Sequence, residues 1–163
     1  MKRKLTKTEL REINTGLPHI KKQLYENREL YQSICISVFE KPLKEEECWQ
    51  IYDTDKKTIA ERRKKLEDVL VDFFNLTDVY LWRHKRHYRI LFYKPGSLQN
   101  LLRHCDILNQ TWESGHRYDI LLPEYSAVYS EEWDWTTIIW YRDYEKIKPL
   151  LEAVKKSGLY FYR

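Results

Sequence analysis

The feature that most constrains this chain is a change in the spacing of its apolar residues at Asn75. Before it, Ile59, Leu66, Val69, Leu70 and Phe73 recur at helical spacing and predict one amphipathic helix over 56–75, with Glu61 and Lys65 as an outer i,i+4 pair. After it, Val79-Tyr80-Leu81-Trp82 and Tyr88-Arg89-Ile90-Leu91-Phe92-Tyr93 are β-branched and aromatic runs of strand length. A chain that changes period once along its length segregates its helices from its strands. That pattern predicts an α+β fold.

The first part is punctuated by caps and breakers. Thr6-Lys7-Thr8-Glu9 has the capping-box pattern and places a helix start near Lys7. Gly16 and Pro18 interrupt that helix, and Ile20, Leu24, Tyr31 and Ile34 continue at helical spacing to about Ser33. The run Ile34-Cys35-Ile36-Ser37-Val38-Phe39 fits both a short strand and a helix end, and is read as helix. From Leu43 to Tyr52, after Pro42, a further segment is expected to bury Cys48, Trp49 and Tyr52.

The second part reads as two strands, a helix, three strands, a helix and a strand. Ser97 caps a helix with Leu98, Leu101, Leu102, Cys105 and Leu108 inward. Strands follow at about 117–122, 127–130 and 135–141. The last helix carries Ile147, Leu150, Leu151 and Val154 on one face, with Pro149 in its first turn or at a kink. Gly158 suits its C-terminal exit, and Leu159 to Tyr162 end the chain as a strand. The expected architecture is an N-terminal helical layer over 1–75 and a ββαβββαβ, mostly antiparallel sheet over 76–163 with helices on one face, together one continuous domain. The closing pattern resembles, in outline, small bacterial immunity-type proteins. It covers the last third of the chain and has no specific motif, so no residue role is carried over.

A chain of 163 residues with 42% hydrophobic and 33% charged residues has enough apolar surface for one core. Four glycines argue against a Gly-rich phosphate loop. Cys35, Cys48 and Cys105 lack metal-ligand spacing and read as reduced thiols of a cytoplasmic protein. The charged start, Met1 to Glu12, has no apolar signal core, and no apolar run reaches the ~20 residues of a membrane span. No metal or other cofactor is expected.

Charge is unevenly spread. Between Val79 and Cys105 lie six basic residues and no acidic ones. Between Tyr118 and Tyr141 lie five acidic residues (Asp119, Glu124, Glu131, Glu132 and Asp134) and no basic ones. Surface aromatics among carboxylates make a good protein-binding hot spot, and carboxylates in a row imitate phosphates toward a basic partner. The expected function is therefore a non-enzymatic, immunity- or antitoxin-type domain that engages a basic protein through Tyr125, Tyr129, Glu131, Glu132, Trp133, Asp134 and Trp135. The plainer reading puts the tryptophans in the core. The alternative is an RNA-binding protein or metal-independent ribonuclease using Trp82, Arg83, Arg86, His87, Tyr88 and Arg89, whose cations and rings hold a phosphate chain while stacking bases. Its plainer counterpart is a solvated hairpin whose cations guard a sheet edge. Opposite charges on one sheet also allow self-association.

Residues fit for catalysis do not assemble into a motif. His84, His87, His104 and His116 are of the residue type suited to general acid–base chemistry but lie in no nucleophile or triad pattern. His104 and Cys105 are neighbours about 100° apart on a helix, which does not make a nucleophile–base pair. Glu131 and Glu132 are adjacent and would point to opposite faces of a strand, unlike a glycosidase carboxylate pair.

Overall fold

Local signals set where each helix begins. The computed structural model describes residues 3–20, 30–52, 54–85, 89–106, 119–131 and 134–162, apart from the side chains at 84, 85, 89, 90 and 131. Helix α1, Lys7–Gly16, starts with the expected capping box: Glu9 N–H donates to Thr6 Oγ1 at 3.2 Å, and Thr6 N–H to the Glu9 carboxylate at 2.8 Å. A 3-10 turn, Glu45–Glu47, leads into the four-residue helix α2, Trp49–Tyr52. The Asp55 carboxylate caps α3, Lys56–Leu76, by accepting from Lys57 N–H at 2.8 Å and Thr58 N–H at 3.0 Å. Glu61 pairs with Lys57 at 3.9 Å and not with Lys65.

Ser97 caps α4, Leu98–His104, and Asp143 caps α5, Tyr144–Lys156. Pro149 lies inside α5 on its exposed side. That helix closes with a Schellman turn: Gly158 N–H donates to Lys155 O at 2.9 Å, and Leu159 N–H to Val154 O at 3.3 Å. Gly158 sits at φ +71°, the left-handed conformation this closure needs.

Eight strands form a single antiparallel sheet: β1 Arg3–Lys4, β2 Gln32–Ser37, β3 Tyr80–Lys85, β4 Arg89–Lys94, β5 Asp119–Leu122, β6 Ala127–Glu131, β7 Thr136–Tyr141 and β8 Tyr160–Tyr162. Their order is β1-β4-β3-β5-β6-β7-β2-β8. The second part of the chain is thus the expected ββαβββαβ, and the fold is α+β.

Two elements differ from the sequence reading, the first being β1 at Arg3–Lys4, where no strand was expected. Gln32–Ser37, assigned to helix, is strand β2, flanked by β7 (Ile34↔Ile139) and β8 (Ile36↔Phe161). Alternation puts Ile34 and Ile36 on one face, both fully buried. Backbone partners on both sides settle what local propensity left open.

The pleat divides the apolar residues into two cores. The row Leu81–Ile120–Tyr129–Ile139–Ile34 crosses the sheet on one face, against Leu66, Val69, Leu70 and Phe73 of α3 and Ile147, Leu150 and Val154 of α5. The row Tyr80–Leu121–Val128–Trp140 crosses the other face, where Tyr80, Leu121 and Val128 cluster with Ile13 of α1, Leu17 and Ile20. Burying one such side chain contributes about 1.5–3 kcal/mol before conformational entropy is counted. Gly16 lets α1 close on the 3-10 turn Pro123–Tyr125, since a Cβ there would lie 2.2 Å from the Pro123 carbonyl oxygen. No described helix is long and apolar enough to cross a membrane.

Candidate functional site

Of the residues expected to form an acidic-aromatic surface, Tyr129 and Trp135 face the core. Tyr129 is buried in the larger core with its ring edge-on to Phe73, centroids 5.5 Å apart. Trp135 is 6% exposed, and its indole N–H donates to Ile51 O at 3.3 Å. Tyr125 is half-buried, with its phenol pKa pushed up by burial. Period-2 alternation turns Tyr129 inward, while Trp135 is drawn in by its indole bond. Asp134 stays partly exposed and accepts hydrogen bonds from Thr136 N–H and Oγ1. Asp119 is buried and accepts from the Trp82 indole. Glu124 accepts from Thr77 Oγ1 at 2.6 Å, at the far end of β6 from Asp134. Glu132 and Trp133 lie outside the described residues, as does the Glu131 side chain.

The basic stretch is a hairpin. β3 and β4 pair from Leu81↔Tyr93 to Lys85↔Arg89, and β3 also pairs with β5 from Tyr80↔Leu121 to Trp82↔Asp119. Trp82 is fully buried on the α1 face and offers no ring to a nucleic acid. Arg83 is half-buried. Arg86, His87 and Tyr88 lie outside the described residues, as does the Arg89 side chain. Among the described residues, no three His, Cys, Asp or Glu side chains are grouped as a metal site.

The exposed aromatics are elsewhere. Trp49 is 60% and Tyr52 70% exposed, although both were expected to face inward. They are three residues apart on α2 and so share one side of it. The aliphatic Ile51 turns in to pack on the larger core. A four-residue helix has too few internal hydrogen bonds to persist alone. Here the body of the protein supplies them: Gln50 O accepts from Arg62 Nη1 at 2.7 Å and Thr54 Oγ1 at 2.8 Å, beside the bond from Trp135 to Ile51 O. The Arg62 guanidinium also lies 4.8 Å from the Phe39 ring centroid and 5.8 Å from that of Trp135.

Trp135 adopts φ +64°, rare for a bulky residue and costing about 1–3 kcal/mol. Its burial and indole bond hold that turn, which sets Asp134 at the lip of a groove of about 270 Å³. Phe39, Pro42, Leu43 and Ile51 supply apolar walls, while Cys35 and Cys48 add two thiols. Tyr162 closes one end, its phenol pKa raised by burial. Over 40–55 the sequence carries six acidic and two basic residues. Glu47 is engaged by Lys44 N–H at 3.0 Å and Lys41 at 3.6 Å, which hold its carboxyl below the usual range, the backbone bond most of all. Glu45 and Glu46 are exposed.

Two larger clefts contain charged groups, several of which are engaged within the chain. In the first, about 640 Å³ between α1 and the Pro123–Tyr125 turn, Tyr80 Oη donates to Glu12 at 2.8 Å and Asp78 pairs with Lys94 at 2.7 Å. In the second, about 490 Å³ beside α4, Arg63 bridges Glu67 at 2.9 Å and Asp106 at 2.6 Å.

The sequence did hold a signal for the α2 shelf. A segment bounded by Pro42 and Asp55 is too short for an amphipathic stripe, and its aromatics sit among carboxylates. Comparison of the chain with family models, curated proteins and solved structures returns no match.

Proposed function

We propose that this chain is a non-enzymatic protein-binding domain of immunity or antitoxin type, and that it engages a basic partner through Trp49 and Tyr52. The observation that carries this reading is the pair of rings, more than half exposed, on a helix held by Arg62 and Trp135. Large aromatics bury roughly 150–250 Å² each, so the exposed parts offer about 200–300 Å² to a partner. At ~25 cal/mol per Å² that is a gross gain of about 5–8 kcal/mol, which the costs of association reduce. A helix already held in place loses little further freedom on docking. Glu45 and Glu46, exposed just before α2, and Asp134 in the groove lined by Ile51 select for positive charge.

A photo-crosslinking residue placed at 49 or 52 in source cells tests the reading. A basic protein should be captured there and not from position 64 on α3. With that protein purified, Trp49→Ala should weaken binding about 30-fold, equivalent to ~2 kcal/mol. Equal capture from all three positions overturns the proposal, and capture of a second copy alone replaces it with self-association.

The basic hairpin favours a second reading, RNA binding. Its last three register positions carry Arg83, Lys85 and Arg89. Affinity should then fall steeply as salt rises, with a shallower slope after Arg89→Ala. Salt-insensitive or absent binding discards it.

A further inference from the structure

We infer that the groove beside α2 is a receptor for a single arginine side chain of the bound partner. The inference rests on α2 being the partner-binding surface and names what that surface recognises. Volume is the first argument. At about 270 Å³ the groove holds roughly nine waters at ~30 Å³ each, just below the ~300–1,000 Å³ of small-molecule sites. One long side chain suits that space.

Chemistry is the second argument. An arginine presents a methylene stem and a flat cationic fork, and it binds best where apolar walls precede a carboxylate. Phe39, Pro42, Leu43 and Ile51 supply the walls and Asp134 the carboxylate. Thr136 donates only to Asp134 Oδ1, and Oδ2 accepts from no described residue. No basic side chain among the described residues forms an ion pair with Asp134. Lys41 pairs with Glu47, and Arg62 with Gln50 O and two rings. A carboxylate at an apolar wall, with one oxygen open and no ion pair among the described residues, favours a cation from outside. A guanidinium fits better than an ammonium because its planar fork of N–H donors matches a carboxylate while its stem lies along the apolar walls.

The probe is Nα-acetyl-arginine N-methylamide, with the citrulline analogue as its uncharged isostere. Millimolar arginine probe should shift the backbone amide resonances of Ile51, Asp134 and Thr136 and slow thiol modification of Cys48, which lines the groove. Asp134→Asn keeps an acceptor for Thr136 and should weaken the probe at least tenfold. Equal binding of citrulline, no effect of Asp134→Asn, or no shift at all overturns the inference. The Trp49→Ala, Tyr52→Ala double variant separates the two ideas. If it loses the partner but still binds the probe, both stand. If it keeps the partner while the probe still binds, only the aromatic reading fails. If the probe does not bind, the arginine receptor fails whatever the partner does.

Discussion

The Trp49–Tyr52 shelf and the Tyr129–Trp135 segment have much the same composition, aromatics among carboxylates, and opposite fates. Tyr129 and Trp135 are buried, the first by the pleat of β6 and the second by an indole bond to Ile51 O. Trp49 and Tyr52 are exposed because Ile51 takes the inward position on α2. The difference teaches that composition marks a candidate surface without locating it. The two regions also depend on each other: Trp135 anchors the helix that carries Trp49.

That dependence can be broken in several ways. Trp135→Ala should have the largest effect, a loss of about 3–5 kcal/mol in urea unfolding together with faster hydrogen exchange over 49–52. Slow exchange there in a destabilised variant would show that α2 does not need its anchor. Arg62→Met removes the bond to Gln50 O and both ring contacts, and should cost about 1–3 kcal/mol. Its exchange signature should match that of Trp135→Ala.

The opposite edge of the molecule supplies a control. Hydrogen bonds from Arg3, and then from Thr6, hold the Glu9 carboxyl at about 2 against an ordinary 4.5. A carboxyl lowered on folding adds stability above its ordinary value and loses it as pH falls from about 4.5 toward 2. Glu9→Gln should remove about 1–3 kcal/mol of that acid dependence, nearer the lower end because Arg3 is half exposed. The shelf variants should leave this dependence unchanged. The smallest effect on stability belongs to Trp49→Ala, expected within about 0.5 kcal/mol of the parent. A loss as large as that of Trp135→Ala would mean the ring supports the fold, and the contrast between the two regions would collapse.

Much of the fold was legible. Thr6 with Glu9, Ser97 and Gly158 act within a turn of where they stand, so sequence locates them, while the Asp143 cap was not read from it. The stripe on α3 was legible because a long amphipathic helix repeats its message over several turns. β2 was not, since Ile34 and Ile36 fit either period until β7 and β8 supply partners. The candidate site was less legible still. The acidic run flagged Asp134, whereas Trp49 and Tyr52 face outward where their spacing predicts burial.

By itself the sequence determined the α+β class, the helix caps, the ββαβββαβ order and the uneven spread of charge. Those properties arise from neighbours along the chain, through caps, turns and periodicity. The tertiary structure decided the placement of β2, the burial of Trp82 and Trp135, and the exposure of Trp49 and Tyr52. Each of these turns on a partner far away in sequence: Asp119 for Trp82, Ile51 for Trp135, and Arg62 for the helix that bears the exposed rings. A buried indole N–H needs an acceptor and a short helix needs donors for its carbonyls, and only the folded chain brings those groups together.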